Sequence, residues 1–213
     1  MNTTLIRLGF SIFVLLILIL TLSCSGIKTE IIGQWQEDDY QKGEIDKVLV
    51  LGIVDVKKPL LRRKFEDGMK NAFIDNGLEA IASMDIMPYD EVVDSTSFEK
   101  HFKDLEFDAV LVSRLVGIDH ERKVEAGYAY VIPFNSYYGF YGHYHAAIQY
   151  ANSSSYLSKN VVVVLETNLY ETKDKKLIWS GISETLDPDK ASDVINSFSK
   201  ILVSNLDQEG FFK

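Results

Sequence analysis

The stretch Lys47–Asp55, KVLVLGIVD, constrains this chain more than any other. It is a nearly continuous run of apolar, mostly β-branched or leucine side chains, so it alternates nothing and must be covered on both faces. A strand of that kind belongs inside a sheet with helices or loops above and below it. Pro59 follows and suits the first turn of a helix, where its missing N–H costs nothing. Leu61, Phe65, Met69 and Phe73 then recur every fourth residue, with Ala72 on the same side. That is one apolar stripe, and it predicts a helix with Arg62, Arg63, Lys64, Glu66 and Asp67 mostly outside. Asn76-Gly77 ends it, because glycine enters the left-handed cap without strain.

The remaining elements follow the same logic. Leu78–Ser83 reads as a short second strand. Thr96-Ser97-Phe98-Glu99 has the spacing of a capping box and predicts a short helix to about Leu105. Phe107–Ile118 is a third buried strand. Asn160–Glu171 and Leu177–Leu186 flank the polar turn Thr172–Lys176, which predicts a hairpin. Pro188 precedes an amphipathic closing helix marked by Ala191, Val194, Ile195, Phe198, Ile201, Leu202 and Leu206. The expected fold is a single α/β domain with a mixed sheet, in the order β-α-β-α-β-β-β-α. Its first half forms a parallel sheet through crossovers, and the hairpin adds antiparallel strands. No internal repeat is evident.

The N-terminus carries a different signal. Arg7 is the only charged side chain before Lys28, and between them runs the apolar segment Phe10–Leu22. A basic start followed by about a dozen apolar residues is the layout of a secretory signal. It ends in Thr21-Leu22-Ser23-Cys24, which resembles the lipobox of bacterial lipoproteins. In that family the cysteine receives a diacylglycerol, the signal is removed and the cysteine becomes the new terminus. Thr21 departs from the family pattern, which has Leu there most often. The resemblance implies a signal peptide over 1–23, a lipidated Cys24 with a polar tether over 24–45, and a periplasmic domain over 46–213. Two or more acyl chains would anchor the domain stably, at roughly 0.8 kcal/mol per buried methylene. Ser25, in place of an Asp, resembles the outer-membrane class. Two other readings fit the same residues. Leu8–Ile27 is about twenty uncharged residues, enough for an uncut transmembrane helix, and an ordinary cleaved signal with an incidental cysteine has the same layout.

Charge excludes one class of partner. Acids outnumber bases 31 to 22, for a net charge of −9 over the chain, and no basic run exists to displace counterions from nucleic-acid phosphates. The same excess disfavours adhesion to anionic lipid by charge alone. The one cysteine allows no internal disulfide and no cysteine-rich zinc site.

Residues 127–156 differ from everything around them. Eight of the eleven tyrosines lie there. The centre reads YYGFYGHYH, and it supplies the candidate contact residues Tyr137, Tyr138, Phe140, Tyr141 and Tyr144. Tyrosine offers a flat apolar face and a polar tip at small entropic cost, which suits stacking on sugars, packing on a protein, or resting at a lipid interface. A hairpin extension whose tyrosines cover their own backbone has the same composition. In Ser25–Asp46, Trp35 and Tyr40 interrupt a polar stretch, and Trp35 is expected to dock on its own domain.

These features together resemble small bacterial lipoproteins of unknown function. The phrases Leu169–Thr172 and Lys176–Gly181 (LYET and KLIWSG) carry the resemblance most specifically, with Trp179 as a core residue of the second hairpin strand. The arrangement also resembles the α/β domain of the TolB N-terminus and of LpoB-type activators of cell-wall synthases. The resemblance implies an envelope protein that is not an enzyme, takes no cofactor and binds an envelope protein or glycan. A lipid or glycan carrier is the alternative, and a metal protein or enzyme centred on His143 and His145 is a third.

Chemistry finds little support. His143 and His145 would share one face of a strand and are weak metal candidates, with Asp119, His120 or Glu121 as a third ligand. No Gly-x-Ser-x-Gly elbow and no glycine-rich phosphate loop is present. Asp85, Asp90, Glu91 and Asp94 form an acidic loop without EF-hand spacing, and a solvated loop is the simpler reading. Arg114, inside an apolar strand, either pairs with a buried carboxylate or emerges at an edge.

Overall fold

The computed structural model describes residues 28–55, 57–91, 94–119 and 161–213. Six strands form one mixed sheet, with three helices packed on it. In chain order these are β1 (Lys28–Gln36), β2 (Lys47–Ile53), α1 (Pro59–Asp75), β3 (Glu79–Ala82), α2 (Ser95–Phe102), β4 (Ala109–Asp119), β5 (Val162–Glu171), β6 (Leu177–Leu186) and α3 (Ala191–Gln208). Across the sheet the order is β1-β6-β5-β4-β2-β3. β2 pairs in parallel with both β3 and β4, while β5, β6 and β1 add antiparallel strands. The expected α/β class and the sequence of elements from β2 onward are both present.

KVLVLGI has no exposed side because each of its faces meets a different core. Val48 and Val50 point to the face covered by α1 and α3, where they join Phe65, Met69, Phe73, Phe198 and Leu202. Leu49, Leu51 and Ile53 point to the other face, toward Phe102 and Phe107 at and beyond α2. The rings of Phe65 and Phe198 stack at 6.0 Å, fastening α1 to α3. Gly77 takes a left-handed φ of +92° just past α1, as the Asn-Gly pair predicts.

The first correction concerns the expected tether. Residues 28–36 are strand β1, hydrogen-bonded to β6 from Lys28↔Leu186 to Gln36↔Trp179. The polar character of KTEIIGQWQ is that of an edge strand, wet on one margin, and a bulge between Ile31 and Gly33 interrupts its alternation. Trp35 does dock on its own domain, half-buried against the α2-side core.

The second correction concerns α1. Arg62 and Glu66 belong inside, at 6% and 0% exposure. The Glu66 carboxylate accepts hydrogen bonds from Gly52 N (3.0 Å), Arg62 Nε (2.8 Å), Ser83 Oγ (2.8 Å) and Met84 N (2.9 Å). Arg62 also donates to Ser83 Oγ and to the Tyr89 carbonyl. One ion pair thus joins β2, α1 and the turn after β3. A third correction is smaller: the cap of α2 is Asp94, not Thr96. Its carboxylate accepts from Ser97 N at 2.8 Å and its own N–H donates to Ser97 Oγ at 2.9 Å. A carboxylate at this end also complements the helix dipole.

Trp179 is a core residue, 1% exposed. Its indole crowds Gly181, two residues along β6, so that a Cβ at 181 would stand 2.3 Å from Cη2. An extra residue at Ile178, where the pairing shifts between Leu169 and Tyr170, lets Ile178 and Trp179 face the same core.

Three outcomes follow. Arg62→Met leaves a buried carboxylate without its cation and should cost about 3–5 kcal/mol in urea unfolding, whereas Arg63→Met on the wet side of α1 should cost under about 1 kcal/mol. Gly181→Ala should cost about 1–3 kcal/mol by overpacking against the indole. Stability should also decline as pH rises past about 10. Burial holds the Tyr40 hydroxyl neutral, pushed up from the ordinary 10.0 to about 12 with help from Glu171, and burial followed by the Glu166 charge raises Tyr170 further. Unfolded tyrosines ionise first, so the stabilisation is complete below pH 10 and is lost above it. The double variant Tyr40→Phe, Tyr170→Phe should flatten that limb of a thermal-unfolding pH series.

Candidate functional site

The two ends of the sheet are built differently. At the end where β2 begins, the chain is closed off. Asp108 Oδ2 accepts from Asp46 N and Lys47 N at 2.8 and 3.0 Å. Phe212 bridges to Ile45, and Tyr40 stacks on Phe211 at 5.6 Å. At the other end the strands stop at different heights. β2 finishes at Ile53, level with Arg114, but β4 continues to Asp119 and stays paired with β5 as far as Val162.

That overhang leaves a cavity of about 290 Å³ in front of β4 and β5, between the first turns of α1 and α3. Leu61, Phe65, Leu115, Val163, Leu165 and Val194 form apolar walls. Asp55, Lys58, Asp189 and Lys190 bring charge to its lining, and both lysines are exposed. Asp55 Oδ1 is engaged by Lys57 N at 2.9 Å. Leu60, beside Pro59, is 78% exposed. Two helices starting beside the ends of parallel strands is a common site for ligands in open α/β sheets.

The same end gathers the chain's special segments. Lys28 pairs with Leu186, Leu186 with Val162, and Val162 with Asp119, in one row across four strands. Residues 120–160, with the aromatic stretch, therefore leave and rejoin the sheet in the row where β1 begins. Cys24, Tyr137, Tyr138, Phe140, Tyr141, Tyr144, His143 and His145 lie outside the described residues, as do His120 and Glu121. Asp119 is the last residue of β4.

Within β4, Arg114 resolves the alternative left by the sequence. It pairs with Glu166 on the neighbouring strand, and Glu166 also accepts from Asn168 Nδ2 at 3.0 Å. The acidic loop does not converge on a point. Asp85 pairs with Arg63 and Lys70, and the Lys70 hydrogen bond leads in holding its carboxyl below the usual range. Glu91 pairs with His101 and Lys100, which lower it in that order, and Asp94 caps α2. Among the described residues no group of three or more His, Cys, Asp or Glu is placed to hold a metal ion.

Sequence reasoning missed the cavity. The signal available for it was the run Val161–Leu165, VVVVL, which is apolar on both faces at a height where β2 has already ended.

No protein-family model matches this chain, and no curated protein matches it. Among solved structures, it is similar to a PelC dodecamer from Paraburkholderia phytofirmans, with 14% identity, a TM-score of 0.47, and coverage of 84% of this chain and 97% of that one. A point variant of the PelC dodecamer from the same organism gives 13% identity and a TM-score of 0.46, over 83% of this chain and 95% of that one. A PDZ domain protein from Parabacteroides distasonis gives 11% identity and a TM-score of 0.43, over 92% of this chain and 39% of that one.

Proposed function

We propose that this chain is an envelope lipoprotein, anchored through Cys24, whose α/β domain is a non-enzymatic binding or scaffolding module with residues 127–156 as its contact surface. The observation that carries this reading is the shared row of Lys28, Leu186, Val162 and Asp119. Only residues 25–27 separate Cys24 from β1. At about 3.3–3.6 Å per residue, Lys28 stands within roughly 15 Å of the acylated cysteine. The domain on this reading sits close above the bilayer rather than on a long leash. The aromatic segment leaves the sheet at that same end and works at the membrane surface, where tyrosine's apolar ring and polar tip both find partners. The partner is then another envelope component held at the same height. Ser25 favours the outer membrane with the domain in the periplasm. Among the described residues no helix is long and apolar enough to cross a membrane.

The test has two arms. Metabolic labelling with a palmitate analogue should mark the wild-type protein and lose the mark in Cys24→Ala; an intact Met1 without fatty acid on mass spectrometry would sink the anchor. In-cell photocrosslinking from Tyr141 should capture a defined partner. If a membrane pull-down retains that partner after deletion of 127–156, the aromatic segment is not the contact surface.

A further inference from the structure

We infer that the cavity in front of β4 and β5 is a binding site for a single fatty acyl chain ending in an anionic head. Its orientation toward the bilayer rests on the anchoring proposed above, but its chemistry does not. The volume of about 290 Å³ is roughly twice that of an engineered apolar cavity of 150 Å³ that stays dry and binds benzene. A narrow aliphatic ligand fits better than a sugar. The walls offer leucine, valine and phenylalanine side chains, and Ser113, whose hydroxyl is already bonded to Thr167 Oγ1 at 2.8 Å. A glycan would leave its hydroxyls without partners there.

Two lysines and two aspartates, Lys58 and Lys190 with Asp55 and Asp189, share the lining, so side-chain charge balances there and the two helix N-termini tip it toward an anion. Lys58 and Lys190 each directly precede the first turn of a helix, α1 and α3, and both border the space. Asp55 and Asp189 face the same space, and one oxygen of Asp55 is taken up by Lys57 N at 2.9 Å. A carboxylate or phosphate lying across the mouth meets two ammonium groups while its chain runs inward along Leu115 and Val163. The origin of the cavity is a difference in strand length: β4 and β5 outrun β2, and nothing in the described chain fills the notch.

The experiment uses the full-length chain in phosphatidylethanolamine–phosphatidylglycerol nanodiscs, with palmitic acid carrying a diazirine as the probe. Photolysis followed by peptide mass spectrometry should place adducts on β5 and the first turns of α3. Val163→Trp and Ala191→Trp, which fill the cavity from opposite walls, should each cut the yield at least tenfold with the melting temperature held within a few degrees. The surface double variant Lys58→Glu, Lys190→Glu should cut it several-fold without touching the core. Adducts confined to other segments, or an undiminished yield in both tryptophan variants, would overturn the proposal. Cys24→Ser separates the sources. A yield no higher than wild type supports an exchangeable ligand, whether or not Cys24 is the anchor. A several-fold rise means that the protein's own acyl group had filled the space, which overturns a site for free ligand.

Discussion

The buried Glu66 carboxylate is the joint on which this domain turns. It sits at the centre of α1 with no exposure, yet it carries charge into a region where an unpaired ion costs several kcal/mol. The fold answers with donors from three separate elements: the Gly52 amide on β2, the Arg62 guanidinium one turn back on α1, and Ser83 and Met84 just after β3. Each donor has to be in register for the carboxylate to be satisfied. The β2–α1–β3 crossover is therefore specified by directional bonds as well as by apolar packing. Arg62 extends the joint to Tyr89, so the loop leading toward α2 is held by the same group.

Much of the fold was legible because burial leaves a periodic mark. β2, α1, the β5–β6 hairpin and α3 each announce themselves through apolar residues at the spacing of their structure. β1 did not, because its residues are mostly only partly buried and its bulge shifts the alternation midway, sending Ile31 to one core and Trp35 to the other. Arg62 and Glu66 were misplaced for a related reason. A charge on a helix is ordinarily a solvated charge, and only three-dimensional neighbours reveal that these two satisfy each other. Thr96 and Asp94 compete for the same helix end, and local spacing alone could not weigh a hydroxyl against a carboxylate at the dipole. The cavity is the least legible feature. It arises from a mismatch between strand lengths in β2 and β4, and a mismatch is a property of a pair, not of either segment.

The contrast between the sheet's ends organises any account of function. One end is sealed by Phe211, Phe212, Ile45 and Tyr40, which pack into the core. The other carries the overhang, the apolar space, an exposed leucine, the start of β1 and both points where residues 120–160 join the sheet.

Strand order also sets a sequence of events during synthesis. β1 is the first described strand to be made, but its only neighbour among the described strands is β6; the Thr29–Thr185 hydroxyl pair at 2.8 Å spans 156 residues. Such a distant pairing closes a long loop and gains nothing until most of the polypeptide has emerged. β1 is thus among the last of the described strands to be locked, and until it pairs β6 waits with an open margin.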